Sequence, residues 1–153
     1  MKRLLCALMA LLLLSSCALA SVRVGFEDGF TLELPDGWLH YSLTPEMSQQ
    51  GVLYCLSDAE AARFLYIQLW NSECEDLDEL NSLIAEIARP DSSGMYSFGG
   101  TDFIVYDLPE GDVSCCAALL GNKVYNFVFT PQSDSAFMVT AAQIMSSFEV
   151  MQE

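Results

Sequence analysis

Positive charge is scarce in this sequence. Only 6 of its 153 residues are lysine or arginine, against 21 aspartates and glutamates. Nucleic-acid binding depends on clustered lysines and arginines that neutralise phosphates, so this composition excludes a nucleic-acid partner. The same shortage argues against attachment to an anionic membrane surface by charge.

The sequence also lacks the motifs that usually mark catalytic sites. It has no Gly-x-Ser-x-Gly, phosphate-binding glycine loop, His-Glu-x-x-His or dinucleotide fingerprint. General acid–base catalysis most often recruits histidine, and the single histidine, His40, lies on a segment expected to be extended. We therefore predict no cofactor, no metal ligand and no catalytic residue, and expect a protein that is not an enzyme.

The first 20 residues are typical of a secretory signal peptide. Lys2 and Arg3 precede an apolar run over residues 4–14, and Ala18-Leu19-Ala20 has the small-x-small pattern of a cleavage site. The run is shorter than the roughly 20 residues that a membrane-spanning helix needs. We expect an extracytoplasmic, secreted protein that begins at Ser21.

A second processing route is compatible with the same residues. Leu14-Ser15-Ser16-Cys17 resembles the box of bacterial lipoproteins, in which a lipid on Cys17 would anchor the protein to a membrane. Residues 18–21 would then be the whole tether, at about 3.3 Å per residue. Because anchored domains usually have a longer polar linker, the secreted form is favoured. Contact with a membrane is expected only if Cys17 is lipidated.

Residues 21–153 have the size of a single domain. Without the leader, four cations face 21 carboxylates, which gives a formal charge of −17. Such acidity is explained by colloidal repulsion, with a basic partner as the alternative. The remaining cysteines permit three complete disulfide connectivities, and they are Cys55, Cys74, Cys115 and Cys116.

Hydrophobic periodicity predicts a β-hairpin, a turn, a second hairpin, a helix, a four-stranded meander and a second helix. The strands are predicted over residues 22–26, 30–34, 52–57, 63–70, 95–98, 102–108, 113–120 and 123–130. Residues 42–50 are predicted to be irregular. The class is therefore α+β, in which two long helices pack on one mostly antiparallel sheet.

Each predicted helix carries an apolar stripe. The first follows a capping-box spacing between Ser72 and Glu75 and ends at Pro90, and its stripe is Leu77, Leu80, Leu83, Ile84 and Ile87. The second covers residues 135–147, and its stripe is Phe137, Ala141, Ile144, Met145 and Phe148.

The segment Phe30-x-Leu32-x-Leu34-Pro35-Asp36-Gly37-Trp38 resembles the start of PsbP-like domains, whose superfamily includes the Ran-binding Mog proteins. The order of elements is similar over residues 22–150. The resemblance implies an α-β-α sandwich and a non-enzymatic accessory or binding protein, of a kind often exported from bacteria. No catalytic residues belong to this motif, so the resemblance implies none here.

Trp38 and Tyr41 form the candidate binding surface, because the turn that precedes them can project aromatic rings of the kind enriched at interfaces. Phe64, Tyr66 and Trp70 share one strand face and are interpreted as core. We expect a non-catalytic exported binding or accessory module whose partner is an unknown protein or extracellular ligand. The alternatives are an envelope-associated lipoprotein anchored through Cys17 and, least favoured, a small hydrolase that uses paired carboxylates.

The processing route gives a first testable prediction. The protein recovered after export from its host should begin at Ser21, because Ala18-Leu19-Ala20 is the favoured cleavage site. The intact mass of the purified protein checks this. A mass that includes a diacylglyceryl group on Cys17 would show that the lipoprotein route is used instead.

Overall fold

The computed structural model describes residues 20–108 and 110–151. Residues 1–19, which include Cys17 and all but the last residue of the predicted signal peptide, therefore lie outside the described residues. Ten strands and three helices are present in the described residues. In chain order they are β1 (Ser21–Phe26), β2 (Phe30–Pro35), β3 (Leu39–Tyr41), α1 (Pro45–Gln49), β4 (Val52–Ser57), β5 (Phe64–Asn71), α2 (Leu77–Ile87), β6 (Ser92–Phe98), β7 (Thr101–Leu108), β8 (Val113–Leu120), β9 (Lys123–Thr130), α3 (Ser135–Ser146) and β10 (Glu149–Val150).

Seven strands form the larger sheet, in the order β3-β4-β5-β9-β8-β7-β6. Every pair in it is antiparallel. Strand β9 lies at the centre, where it pairs with β5 along its whole length and with β8 from Ser114 to Leu120. Its residues 124–127 are all buried, so both faces of the sheet are covered at this strand.

The smaller sheet has the order β1-β2-β10. Phe30, Leu32 and Leu34 alternate along β2 and are buried in the same core cluster as Phe127 and Phe129 of β9. The prediction of one sheet is thus wrong. The alternating apolar face of β2 is buried by stacking on the larger sheet, and the short strand β3 occupies that sheet's edge.

The turn between β2 and β3 matches its prediction. Gly37 has a φ of +82°, and a Cβ atom there would meet no atom within 4 Å. The left-handed region is open to glycine and strained for residues with a Cβ. The Pro35–Trp38 segment therefore reverses the chain because Gly37 accepts this conformation.

The two long helices bury different clusters. The whole predicted stripe of α3 is buried in the main core, including Phe148, which lies just beyond the end of the helix. In α2 only Leu80 and Ile84 are buried, in a second cluster with Ile104, Ala117 and Val124. The predicted α+β class with mostly antiparallel strands is confirmed.

Two details of the helix predictions are wrong. Helix α2 begins at Leu77 because Asp76 caps it, accepting a hydrogen bond from the Glu79 N–H at 2.9 Å. Ser72 instead accepts one from the Cys74 N–H, inside the preceding loop. Leu83 is 38% exposed and Ile87 73%, although the stripe predicted the burial of both.

Helix α1 lies in the segment that was predicted to be irregular. It has five residues, too few to show a periodic stripe. Thr44 caps it by accepting a hydrogen bond from the Met47 N–H, and Pro45 occupies the first turn, where its missing N–H costs nothing.

Substitutions on α2 test this packing. Ile84→Ala should lower the free energy of unfolding by about 2–5 kcal/mol, because it leaves a cavity beneath the helix. Ile87→Ala, three residues away on the same helix, should change it by less than about 0.5 kcal/mol. Denaturant unfolding of both variants checks the difference, and equal costs would mean that α2 is rotated from the position described.

Candidate functional site

Aromatic side chains gather on one face of the larger sheet near its β3 edge. Residues directly opposite each other in antiparallel strands point to the same face. Cys55 lies between Tyr41 of β3 and Tyr66 of β5, and these three residues therefore share a face. Leu39, Ser57 and Phe64 form the next row on that face.

The rings of this face touch one another in sequence. The centroids of Tyr41 and Phe64 are 6.2 Å apart at an angle of 62°, and those of Phe64 and Tyr66 are 5.8 Å apart and almost parallel. Leu39 is 51% exposed and Tyr41 37%, while Phe64 and Tyr66 are half-buried. We call Leu39, Tyr41, Phe64 and Tyr66 the aromatic surface.

A cavity of about 260 Å³ adjoins the aromatic surface, and Tyr66 lines both. Its other lining residues are Met47, Gln50, Val52, Gln68 and Val128. The Gln68 amide is fixed there, because it donates to the Gln50 carbonyl at 2.9 Å and accepts from Asn126 at 2.8 Å. Burial raises the pKa of Tyr66 above its ordinary value, and a tyrosine hydroxyl is in any case protonated, and able to donate a hydrogen bond, at neutral pH.

A buried hydroxyl lies in the row behind the exposed Leu39. Ser57 is fully buried, and its Oγ makes no hydrogen bond within the described residues. Its neighbours in register are Leu39 on one side and Phe64 on the other. An unpartnered hydroxyl is therefore buried between Leu39 and Phe64 of the aromatic surface.

The structure places the two predicted binding residues on different faces. Trp38 is half-buried against the main core, with its ring 6.0 Å from that of Phe137. Tyr41 lies on the aromatic surface instead. A binding role for either residue stays a prediction. Strand alternation did place Phe64 and Tyr66 on one face, but it gave no sign that the face is partly open.

A larger depression, of about 410 Å³, lies beside α3. Met138, Ala142 and Met145 of the helix form one side of it, and Phe98, Asp107 and Cys116 contribute from the sheet. Asp107 accepts a hydrogen bond from the Ser92 hydroxyl at 2.9 Å. Its lining mixes apolar side chains with polar ones such as Ser114, Gln132 and Ser135, and the exposed array of rings belongs to the other face.

Several carboxylates have structural tasks. Asp134 caps α3 by accepting from the Phe137 N–H, and it also binds Arg63 at 2.7 Å. The capping bond and then the guanidinium lower the pKa of Asp134. Asp112 likewise accepts from both the N–H and the hydroxyl of Ser133.

Other polar groups complete this inventory. Asp28 accepts from the Tyr54 hydroxyl at 2.6 Å; burial, helped by this carboxylate, raises the pKa of Tyr54 to about 12. His40 is exposed, beside the rings of Phe26 and Tyr54. Within residues 20–108 and 110–151, no three His, Cys, Asp or Glu side chains converge as metal ligands would. None of the helices described there is long and apolar enough to cross a membrane.

The four cysteines described by the structure are free thiols. Cys55, Cys115 and Cys116 are buried, whereas Cys74 is partly exposed. Burial raises the pKa of Cys115 and of Cys116 to about 12. Since the thiolate is the reactive form, these two side chains are chemically quiet small hydrophobic groups in the folded protein.

Alkylation of the native protein tests this arrangement. Iodoacetamide at neutral pH should modify Cys74 first, because burial shields Cys115 and Cys116 from the reagent and raises the pKa of each to about 12, which leaves little thiolate to react. Peptide mass spectrometry after quenching gives the order of modification. All four thiols should react once the chain is unfolded in urea, and native Cys116 reacting as fast as Cys74 would contradict the burial described.

A scan of protein-family models finds no match for this chain, and a search of curated proteins finds no relative. Solved structures do resemble it. Cyanobacterial PsbP (CyanoP) from Synechocystis sp. has a TM-score of 0.60 at 13% identity, over 88% of this chain and 95% of that one. A protein from Bacteroides thetaiotaomicron has a TM-score of 0.56 at 14% identity, over 81% of this chain and 46% of its own. The resemblance seen in the strand and Pro-x-Gly-Trp turn is thereby confirmed at the level of structure: the chain has a PsbP-like fold.

Proposed function

We propose that this protein is a non-catalytic binding or accessory module, exported from the cell, that holds its partner on the aromatic surface. The observation that carries the proposal is the contiguous array of Tyr41, Phe64 and Tyr66, which remains partly open beside a cavity. Aromatic side chains offer a large contact area for little loss of conformational entropy, and they are enriched at interfaces.

The position of the helices explains why this array is open. We infer an α-β-α sandwich, in which α2 and α3 lie on opposite faces of the larger sheet. The α2 cluster includes Val124, and the main core includes Phe127, which alternates with it on β9. Helix α2 contacts β7 and β8, at a distance of several strands from β3. On this side of the sheet, within the described residues, the short α1 lies beside β4, where Met47 and Gln50 border the cavity next to Tyr66.

The chemistry of the partner follows from the surface and its surroundings. Half-exposed rings and Leu39 favour an apolar or planar group, from a protein or another extracellular ligand. The charge of −17 over residues 21–153 attracts cationic partners and repels anionic ones over roughly a Debye length. An apolar anchor flanked by basic residues fits both features.

A role without catalysis is supported by the way reactive groups are engaged. Asp134 and Asp112 hold a helix start and a loop. The thiols of Cys115 and Cys116 have raised pKa values. His40, the candidate base, has aromatic rings as its neighbours. A base activates a nucleophile only when the two lie within hydrogen-bond reach of each other.

Export is proposed from the leader. The buried thiols of Cys115 and Cys116 are compatible with it, because their raised pKa values leave little thiolate to react in the folded protein. If Cys17 carried a lipid instead, residues 18–21 would hold strand β1 close to the membrane. A partner would then have to reach the aromatic surface at the bilayer. The secreted form imposes no such restriction, and it is the form proposed here.

Partner capture with two single-residue variants tests the proposal. Proteins crosslinked to the tagged chain in the extracytoplasmic fraction should be lost with Tyr41→Ala, because Tyr41 is the most exposed ring of the aromatic surface. Ile87→Ala removes another exposed apolar side chain, 73% exposed on α2, and should leave the capture intact.

Circular dichroism and thermal melting should show that both variants keep the fold. Capture that survives Tyr41→Ala but is lost with Ile87→Ala would move the binding site away from the aromatic surface. Turnover of a substrate that is abolished by changing His40 or a pair of carboxylates would contradict the non-catalytic role itself.

A further inference from the structure

Strand β6 is a long, uncharged edge of the larger sheet. It is the last strand in the sheet order, and all seven of its residues pair with β7 in unbroken register, from Ser92↔Asp107 to Phe98↔Thr101. Its sequence is Ser-Ser-Gly-Met-Tyr-Ser-Phe. It therefore contains no charge, no proline and no bulge, which are the usual devices that prevent a free edge from pairing with another chain.

The other sheet edges within the described residues are protected. Strand β3 has three residues and β10 has two, too few for extended pairing. Strand β1 carries Arg23, which forms ion pairs with Glu33 at 3.0 Å and Glu149 at 2.8 Å across the smaller sheet. Among these edges, β6 alone combines length with the absence of charge.

The outer edge of β6 is open along most of the strand, and α3 approaches it at the end where Gly99 lies beside the Ser146 backbone. Within the described residues, its backbone hydrogen bonds are those of the β7 ladder, and no loop or turn adds another. Met95 is 50% exposed and Tyr96 57%. As neighbours on a strand they point to opposite faces. A strand added beside β6 would thus meet main-chain groups at its edge and one large side chain on each face.

The charges around β6 favour a basic occupant. Asp107 and Asp102 lie opposite its first and sixth residues, one strand further in. On the turn that leads into the strand, the cation Arg89 is offset by Asp91. A second copy of the chain would bring another charge of −17 to this edge, whereas a cationic peptide would be attracted by it.

We propose that β6 is a docking edge for an extended basic peptide, which adds to the larger sheet as an eighth strand. Main-chain hydrogen bonds supply the affinity, and alternate side chains of the peptide contact Met95 on one face and Tyr96 on the other. This edge is distinct from the aromatic surface, which lies at the β3 side of the same sheet.

A synthetic strand serves as the probe. An alternating lysine–valine peptide of about eight residues spans β6, and its binding to the purified chain is measured by calorimetry at about 0.05 M and about 0.5 M salt. We expect binding that weakens at the higher salt. A glutamate–valine peptide of equal length should not bind, and a fully N-methylated lysine–valine peptide should bind at least about tenfold more weakly, because it cannot donate main-chain hydrogen bonds.

Variants of the protein complete the test. Met95→Lys places a charge on β6 and should weaken binding about tenfold or more. Val22→Lys adds the same charge at a residue 52% exposed on β1 and should leave binding unchanged. Thermal melting checks both folds, and if Met95→Lys fails to fold, the N-methylated peptide still decides with the native chain.

Three results would overturn the proposal. The N-methylated peptide binding as tightly as its parent would reduce the effect to general charge attraction. Equal binding of the glutamate–valine peptide would show that the edge does not select a basic peptide. Dimerisation of the chain alone, abolished by Met95→Lys, would make a second copy the occupant of this edge. The aromatic surface would be unaffected by any of these results.

Discussion

Strand β9 has buried residues on both of its faces, and the remaining layers follow from that constraint. Phe127 and Phe129 belong to the main core with β2 and α3, while Val124 on the alternate face belongs to the cluster that includes Leu80 and Ile84 of α2. A strand of this kind must be covered from two sides. Helix α2 covers the face that carries Val124 only in part. Towards β3 the side chains on this face are aromatic and partly exposed, and they form the candidate site.

The well-predicted parts of the fold are those with a clear period. The alternation of Phe30, Leu32 and Leu34 predicted β2, and the stripe from Phe137 to Phe148 predicted the buried side of α3. Both patterns extend over enough residues to distinguish a strand from a helix. The turn at Gly37 was predictable because its conformation depends on one residue type and not on distant contacts.

The parts that the sequence did not predict are short elements and features set by contacts between residues far apart in the chain. Three residues of β3 and five of α1 are too few to define a period. The Ser72–Glu75 spacing imitates a capping box, yet Asp76 is the residue at the true start of α2. Whether a ring is core or surface depends on where the covering helix ends. Alternation alone puts Trp38 and Tyr41, three residues apart, on opposite faces of an extended segment, but it does not show which of the two faces is covered.

The free thiols bear on how the chain reaches its native state. Cys115 and Cys116 are sealed in the folded interior, but both are exposed in a newly translocated chain. On the proposed export route, an oxidising compartment could then trap them in mixed disulfides before they are enclosed. On that route, β8 would have to close between β7 and β9 before its cysteines are oxidised. The rate of folding, and not the stability of the folded protein, would then limit the yield of native protein.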